Sequence, residues 1–420
     1  MLWDMLRVIL RYRLAEIVIA TLCATTMSAQ TSPTITALRT SPKETFLVNP
    51  GHRDWTPAVI SGTTILSGNS SNRGGLFAVD ITSGKLKWTA RPVGLPGGNP
   101  FVATLPAISG NLVIVPMANS LVAVTLAGGK EAWRGPRTAL QAAAAADASS
   151  AFVLGDDRVF YAVDALTGKT KWTLPFANRG SCTAVPVLRD GTVYVSGAMP
   201  SPTGSSYTHL IAIDAATGKE RWRYPSAPIP GNNIGVCLEQ PLISGNTIFG
   251  TVSTTLHAVD LTTGKDRFAP VEVRRPVEGR ERAVEVGGLV DAGPVLVGLT
   301  SGYLIAFDKA TGKTAWEVKG QYRITAPATA VAGKVLYFQG HPGAEPAPED
   351  PDRVRYQGGK PVPMVPVLPG GRLNAMDLET RAILWSFSRP TAEPNWPFGF
   401  VTPVDGGLWV DSYQALIKLQ

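Results

Sequence analysis

A chain of 420 residues with 44% hydrophobic side chains, 43 glycines and 34 prolines can bury a large core, and length alone allows two or three domains. The formal net charge is +7 without a clustered basic patch, which excludes a nucleic-acid partner and leaves a membrane as a neighbour only.

The first 29 residues differ from the rest. Arg7, Arg11 and Arg13 precede an apolar run over residues 17–24, and Ser28 and Ala29 are small enough for a cleavage site. This is the layout of a secretory signal peptide, and the run is too short for a membrane span. Leu22 precedes Cys23 where a lipid-attachment signal wants a small residue, so a lipoprotein is not expected. The mature chain is expected in the periplasm or cell envelope.

From residue 34 the chain repeats one pattern. A-x-D-x-x-T-G-x-x-x-W is complete over residues 162–172 and recurs with closing aromatics at Trp88, Trp133, Trp172, Trp222, Phe268, Trp316 and Trp385. An alanine stands ten residues before each: Ala78, Ala123, Ala162, Ala212, Ala258, Ala306 and Ala375. Each copy reads as strand, tight turn, strand. Its aspartate accepts hydrogen bonds from turn amides, and its glycine suits a positive φ. The small alanine lets sheets approach, and the closing aromatic fills the wedge between neighbouring sheets. From Asp80 through Thr125 to Asp164, Asp214, Asp260 and Asp308 the steps are 45, 39, 50, 46 and 48 residues; the step to Asp377 is 69. Strand-only repeats at this spacing predict a β-propeller.

The repeat resembles the tryptophan-docking motif of the pyrroloquinoline-quinone-like (PQQ-like) propeller family. That family includes quinoprotein dehydrogenases and the non-enzymatic propeller of the outer-membrane protein assembly machinery. The expected fold is all-β: a single eight-bladed β-propeller over residues 34–420, built of four-stranded antiparallel blades. After Trp385 only three strand-like runs follow, at 400–404, 407–412 and 414–419. A strand from residues 35–48 is therefore expected to complete the last blade and close the ring.

A second pair of strands precedes most repeats, marked by Pro57, Pro106, Pro186, Pro241, Pro327 and Pro403. A run of alanines at 142–146 takes the place of one such strand. First strands of propeller blades line the channel, so residues just before these prolines are expected on one funnel rim. Arg53, Asp54, Trp55, Arg179, Glu239, Arg323, Asn395 and Trp396 are the candidate binding residues there, with channel-mouth packing as the alternative. Cys182 and Cys237 each lie four residues before a marker proline, which makes them a candidate disulfide or two separate thiols. An insertion at 341–371, rich in proline and acidic residues, is expected to project as an extended, poorly packed loop.

The chain has four histidines, His52, His209, His257 and His341, without zinc-ligand spacing; His257 reads as structural. No nucleophile elbow, phosphate loop or calcium loop occurs. The resemblance to quinoprotein dehydrogenases implies PQQ and calcium at the propeller axis, for which Asp54, Glu239, Asp291 and Asn395 are candidate groups. The chain lacks the adjacent cysteine pair of many such enzymes and is shorter. The expectation is therefore a monomeric, non-catalytic scaffold without cofactor or metal. It would hold a protein partner or an extended segment, as the assembly propeller does. A PQQ-dependent dehydrogenase and a carbohydrate-binding propeller are the alternatives.

Overall fold

The repeat pairs its own letters across each sheet. In a computed structural model of the chain, Ala78, Ala123, Ala162, Ala212, Ala306 and Ala375 face Trp88, Trp133, Trp172, Trp222, Trp316 and Trp385 on the neighbouring strand. A bulge follows each of these alanines, which bends the outer strand about the aromatic. The structure describes residues 35–420 except 49–57, 70–74, 92–104, 118, 139–142, 178–184, 200–206, 228, 230–234, 239–240, 278–279, 301, 323–328, 344–349, 358–359, 365–371, 389–397 and 413–414. The expected signal segment at 1–29 lies outside them.

Among the described residues the strands form eight antiparallel four-stranded blades in chain order. Blade 1 is Val59–Ser61, Thr64–Asn69, Gly75–Asp80 and Leu86–Ala90; the following blades begin at Ala107–Ser109, Ala144–Ala146, Val187–Arg189, Leu242–Ser244, Gly287–Ala292 and Thr329–Ala332. The alanine run thus forms a blade's innermost strand after all. Blades 6 and 7 are also joined where Gly320–Tyr322 pairs with Gly340–Pro342.

Blade 8 is closed by the N-terminus, as expected. Phe398–Val404, Gly407–Ser412 and Ala415–Leu419 supply three strands, and Glu44–Val48 pairs with the last of them. The core follows the same order. It falls into eight clusters, each shared by two consecutive blades, and one of them joins Trp409 and Leu416 of blade 8 to Ile65, Phe77 and Val79 of blade 1.

Between blades the closing aromatic lies on the next blade's turn. A Cβ at Gly218, where φ is +73°, would meet the Trp172 ring at 2.7 Å, so only glycine lets the ring lie flat there. The indole N–H donates to the carbonyl after the next turn's first residue: Trp88 to Leu126 (2.9 Å), Trp133 to Ala165, Trp172 to Ala215 and Trp222 to Leu261 (3.0 Å each). Ring burial contributes about 2–3 kcal/mol per blade on area grounds.

The closing seam rebuilds this contact from separate parts. Phe46 lies against Gly84 where the other blades place their closing aromatic, but it has no N–H. Opposite it stands Lys418, where the other blades have alanine, and its ammonium donates to the Ile81 carbonyl at 3.3 Å. Lys418 is buried, with its ammonium 5.5 Å from the Phe46 ring centroid. Phenylalanine and lysine together thus replace one tryptophan. On the other side of blade 8, Trp385 donates to Leu38 O at 3.0 Å, and Arg39 pairs with Asp377 at 2.5 Å.

The insertion departs from its expectation. The strand Val335–Pro342 of blade 7 runs through His341. Beyond it, Asp350–Gln357 and Lys360–Met364 pair as an antiparallel hairpin, not an irregular arm. Backbone pairing within the segment satisfies groups that an extended arm would leave to water. A second hairpin, Arg274–Val277 with Arg280–Ala283, follows blade 5 and was not anticipated. Arg275 anchors it to blade 6 through Glu317 at 2.8 Å and Thr314 at 2.8 Å.

Candidate functional site

The ring has two unlike ends. One carries the aspartate turns. In blade 1, Asp80 Oδ1 accepts from the backbone N–H groups of Thr82 (3.1 Å) and Ser83 (2.8 Å) and from Ser83 Oγ (2.9 Å). These bonds, led by the Ser83 amide, hold the Asp80 carboxyl below the ordinary aspartate range. Asp214 goes further, down to about 2, chiefly because Arg221 donates to it at 2.7 Å.

At the other end, outer strands finish and the next blade's inner strand begins. In the sequence the candidate rim residues fall between an outer strand and the next blade's inner strand. Arg53, Asp54, Trp55, Arg179, Glu239, Arg323, Asn395 and Trp396 all lie outside the described residues, as does Cys182. Their mutual placement is therefore not given, but the anchoring of one of these connections is.

Residues 235–238, just before Glu239, are fixed on both sides. Gly235 bridges to Thr208 of blade 4 with φ +99°, and a Cβ there would lie 2.2 Å from the Thr208 carbonyl oxygen. Val236 N donates to Thr208 O (2.9 Å), and Leu238 N donates to Ser196 Oγ (3.0 Å). Val236 and Leu238 are buried in the core between blades 4 and 5. Cys237, between them, is disulfide-bonded.

The same two blades share a polar cluster of Tyr224, His257 and Asp266. Tyr224 donates to Asp266 Oδ1 at 2.7 Å, and its oxygen lies 3.0 Å from His257 Nδ1. The single phenolic proton goes to the carboxylate, so His257 carries its proton on Nδ1 and donates to Tyr224. Burial lowers His257 to about 4, against a smaller opposing pull from Asp266. It is therefore neutral at pH 7. Burial, then the bond to Asp266, pushes the Tyr224 hydroxyl far up. His209 Nδ1 meets Pro225 O at 2.7 Å, beside the Tyr207 ring at 5.1 Å. Tyr224, His257 and His209 are all buried. Only Asp266 of the cluster is exposed; the buried Tyr224–His257 contact ties two blades together, in keeping with the structural reading of His257.

The PQQ-calcium reading meets a specific obstacle. Of its four candidate groups only Asp291 is described, and its Oδ1 accepts from Lys309 Nζ at 2.8 Å and Gly293 N at 3.0 Å. Lys309 also donates to Ser244 Oγ at 2.7 Å. A metal ion beside Asp291 would face an ammonium already seated there, so the described part of the site does not fit the group. Among the described residues, no three His, Cys, Asp or Glu side chains are grouped to hold a metal.

Fold and turns together define a closed propeller of tryptophan-docked PQQ-like repeats. The family model described as outer membrane protein assembly factor BamB matches residues 36–145 and 118–281, and the chain belongs to that family. No curated protein matches the chain. Among solved structures, BamB from Moraxella catarrhalis is 14% identical with a TM-score of 0.58, covering 90% of this chain and 97% of its own. A europium-containing methanol dehydrogenase is 13% identical with a TM-score of 0.55, covering 88% of this chain and 84% of its own. The C-terminal WD40 domain of Sif2 is 11% identical with a TM-score of 0.60, covering 90% of this chain and 98% of its own. These likenesses are of fold.

Proposed function

We propose that the chain is a non-catalytic envelope scaffold in outer-membrane protein assembly, holding a protein partner or extended segment on the funnel rim opposite the aspartate turns. The observation that carries the proposal is the match of 36–145 and 118–281 to the assembly-factor model. The internal use of the described chemistry supports it: Tyr224, His257 and Asp266 satisfy one another, and Asp291 is held by Lys309. A disulfide at Cys237 suits an exported protein, since such bonds persist in oxidising compartments.

Photocrosslinking in cells tests the reading. A crosslinker at Arg323 or Trp396 should yield one discrete adduct with an outer-membrane assembly component, while the same group at Thr167, in a turn, should not. Stoichiometric PQQ binding with calcium and dye-linked turnover by the purified protein would overturn it.

A further inference from the structure

In the sequence the turn lysines are spread one to a repeat, but the fold gathers them. The first residue of each turn donates its backbone N–H to the carbonyl of Lys85, Lys130, Lys169, Lys219, Lys265 or Lys313, at 2.7 to 2.9 Å. In blade 8 the matching bond runs from Gln420 N to Lys43 O, so the N-terminal segment places a seventh lysine at the same point. Blade 7 has Ala382 there, preceded by Arg381 in the glycine's place with φ +62°. All eight cations are exposed.

These charges are surplus to the turns. Four of the six turn aspartates pair with other cations: Asp80 with Lys87, Asp214 with Arg221, Asp260 with Arg267 and Asp377 with Arg39. Among the described residues, no ion pair involves any of the seven lysines. Interleaved with them are bare apolar side chains: Leu166 within a turn is 63% exposed, and Leu86 and Ile383, each opening an outer strand after a turn, are 46% and 39% exposed. The solvated ammonium groups and the exposed part of Leu166 add little to the stability of the fold.

We propose that this end of the ring docks on an anionic lipid bilayer. Equivalent positions around a ring axis share a plane, so a flat surface meets all eight cations at once, whereas a linear polyanion follows only part of the circle. Leucines among the cations suit the headgroup boundary, where apolar tips insert and lysines reach phosphate. The proposal concerns the end opposite the funnel rim and stands whether or not the rim holds a partner.

The test is partitioning of the full-length chain onto vesicles of phosphatidylcholine with phosphatidylglycerol, against phosphatidylcholine alone. Every variant keeps the same N-terminal segment, so that segment cannot produce a difference between them. A membrane-near lysine contributes about fivefold to partitioning. Lys85→Glu, Lys169→Glu, Lys219→Glu and Lys313→Glu together should lower binding by at least about a hundredfold with an unchanged melting temperature. Leu166→Ser should lower it severalfold. If the charge reversal unfolds the protein, the four Lys→Gln changes and a salt titration of the wild type take its place, with binding expected to fall steeply as salt rises. Indifference of the wild type to phosphatidylglycerol, or wild-type binding by the folded charge variant, overturns the proposal. Equal competition by soluble polyphosphate with no effect of Leu166→Ser overturns it in favour of a general polyanion site.

Discussion

Lys418→Met should weaken the seam that closes the ring. The change removes a charge-assisted hydrogen bond to Ile81 O, long at 3.3 Å, and a cation 5.5 Å from the Phe46 ring centroid. Those contacts contribute about 2–3 kcal/mol together. Relief from burying an ammonium returns about a third to a half of that, so the net loss is about 1–2 kcal/mol. The informative comparison is a cycle with Phe46→Trp. Lys418→Ala alone leaves the Ile81 carbonyl without its donor, and Phe46→Trp alone adds an indole beside a lysine that already fills the space. Together they restore the Ala–Trp pair of the other blades, and the double variant should exceed the sum of the singles by at least about 1 kcal/mol. Denaturant midpoints give the energies, and hydrogen exchange locates them: Glu44–Val48 should exchange faster in Lys418→Met while residues 162–172 do not change. A neutral or stabilising Lys418→Met, or a cycle with no coupling, would refute the idea that lysine and phenylalanine share the work of a tryptophan.

Other outcomes follow from the same contacts. Gly218→Val places a Cβ 2.7 Å from the Trp172 ring at φ +73° and should cost about 2–4 kcal/mol, whereas Arg381→Gly should gain about 1 kcal/mol by relieving a positive φ; both are read from melting curves. His257 is lowered to about 4 in the fold, so between its ordinary value near 6.5 and pH 4 the unfolded chain binds the extra proton. Its contribution is complete above about pH 6.5 and is lost as pH falls toward 4, a slope that His257→Gln should flatten. The turn aspartates act lower still: with Asp214 at about 2, stability is present above about pH 4 and is lost as pH falls toward 2. Peptide mapping without reductant should show Cys237 linked to Cys182; a free thiol at Cys182 would reject that pairing. Replacing Trp55, Arg323 and Trp396 together should abolish partner capture without moving the melting temperature, while Trp172→Ala should lower it.

The ring was legible because each letter of the repeat performs one physical task. Alanine faces the aromatic, aspartate ties the turn, and glycine admits the neighbouring ring. Where the task was divided the signal vanished. Phe46 stands outside any repeat, and nothing in the local sequence marks Lys418, because its partner lies more than three hundred residues away. The Tyr224, His257 and Asp266 cluster was equally hidden, since the proton pattern depends on two blades meeting. The candidate rim was inferred from proline spacing, and only its anchoring beside Glu239 can be compared: the disulfide at Cys237 and the Thr208 bridge hold the chain there. The six lysines after the turn glycines are legible as one ring of turns, and the fold adds Lys43 at the equivalent point of blade 8.

Joining Glu44–Val48 to Ala415–Leu419 also sets a clock on biosynthesis. The first strand leaves the ribosome hundreds of residues before its sheet neighbour among the described residues, about 20–75 s earlier at ordinary elongation rates. For that interval its backbone has no ladder to join, and Gly84 awaits the phenylalanine that will cover it. The circle can be completed only once Ala415–Leu419 has emerged, so the first strand waits for a partner more than three hundred residues downstream.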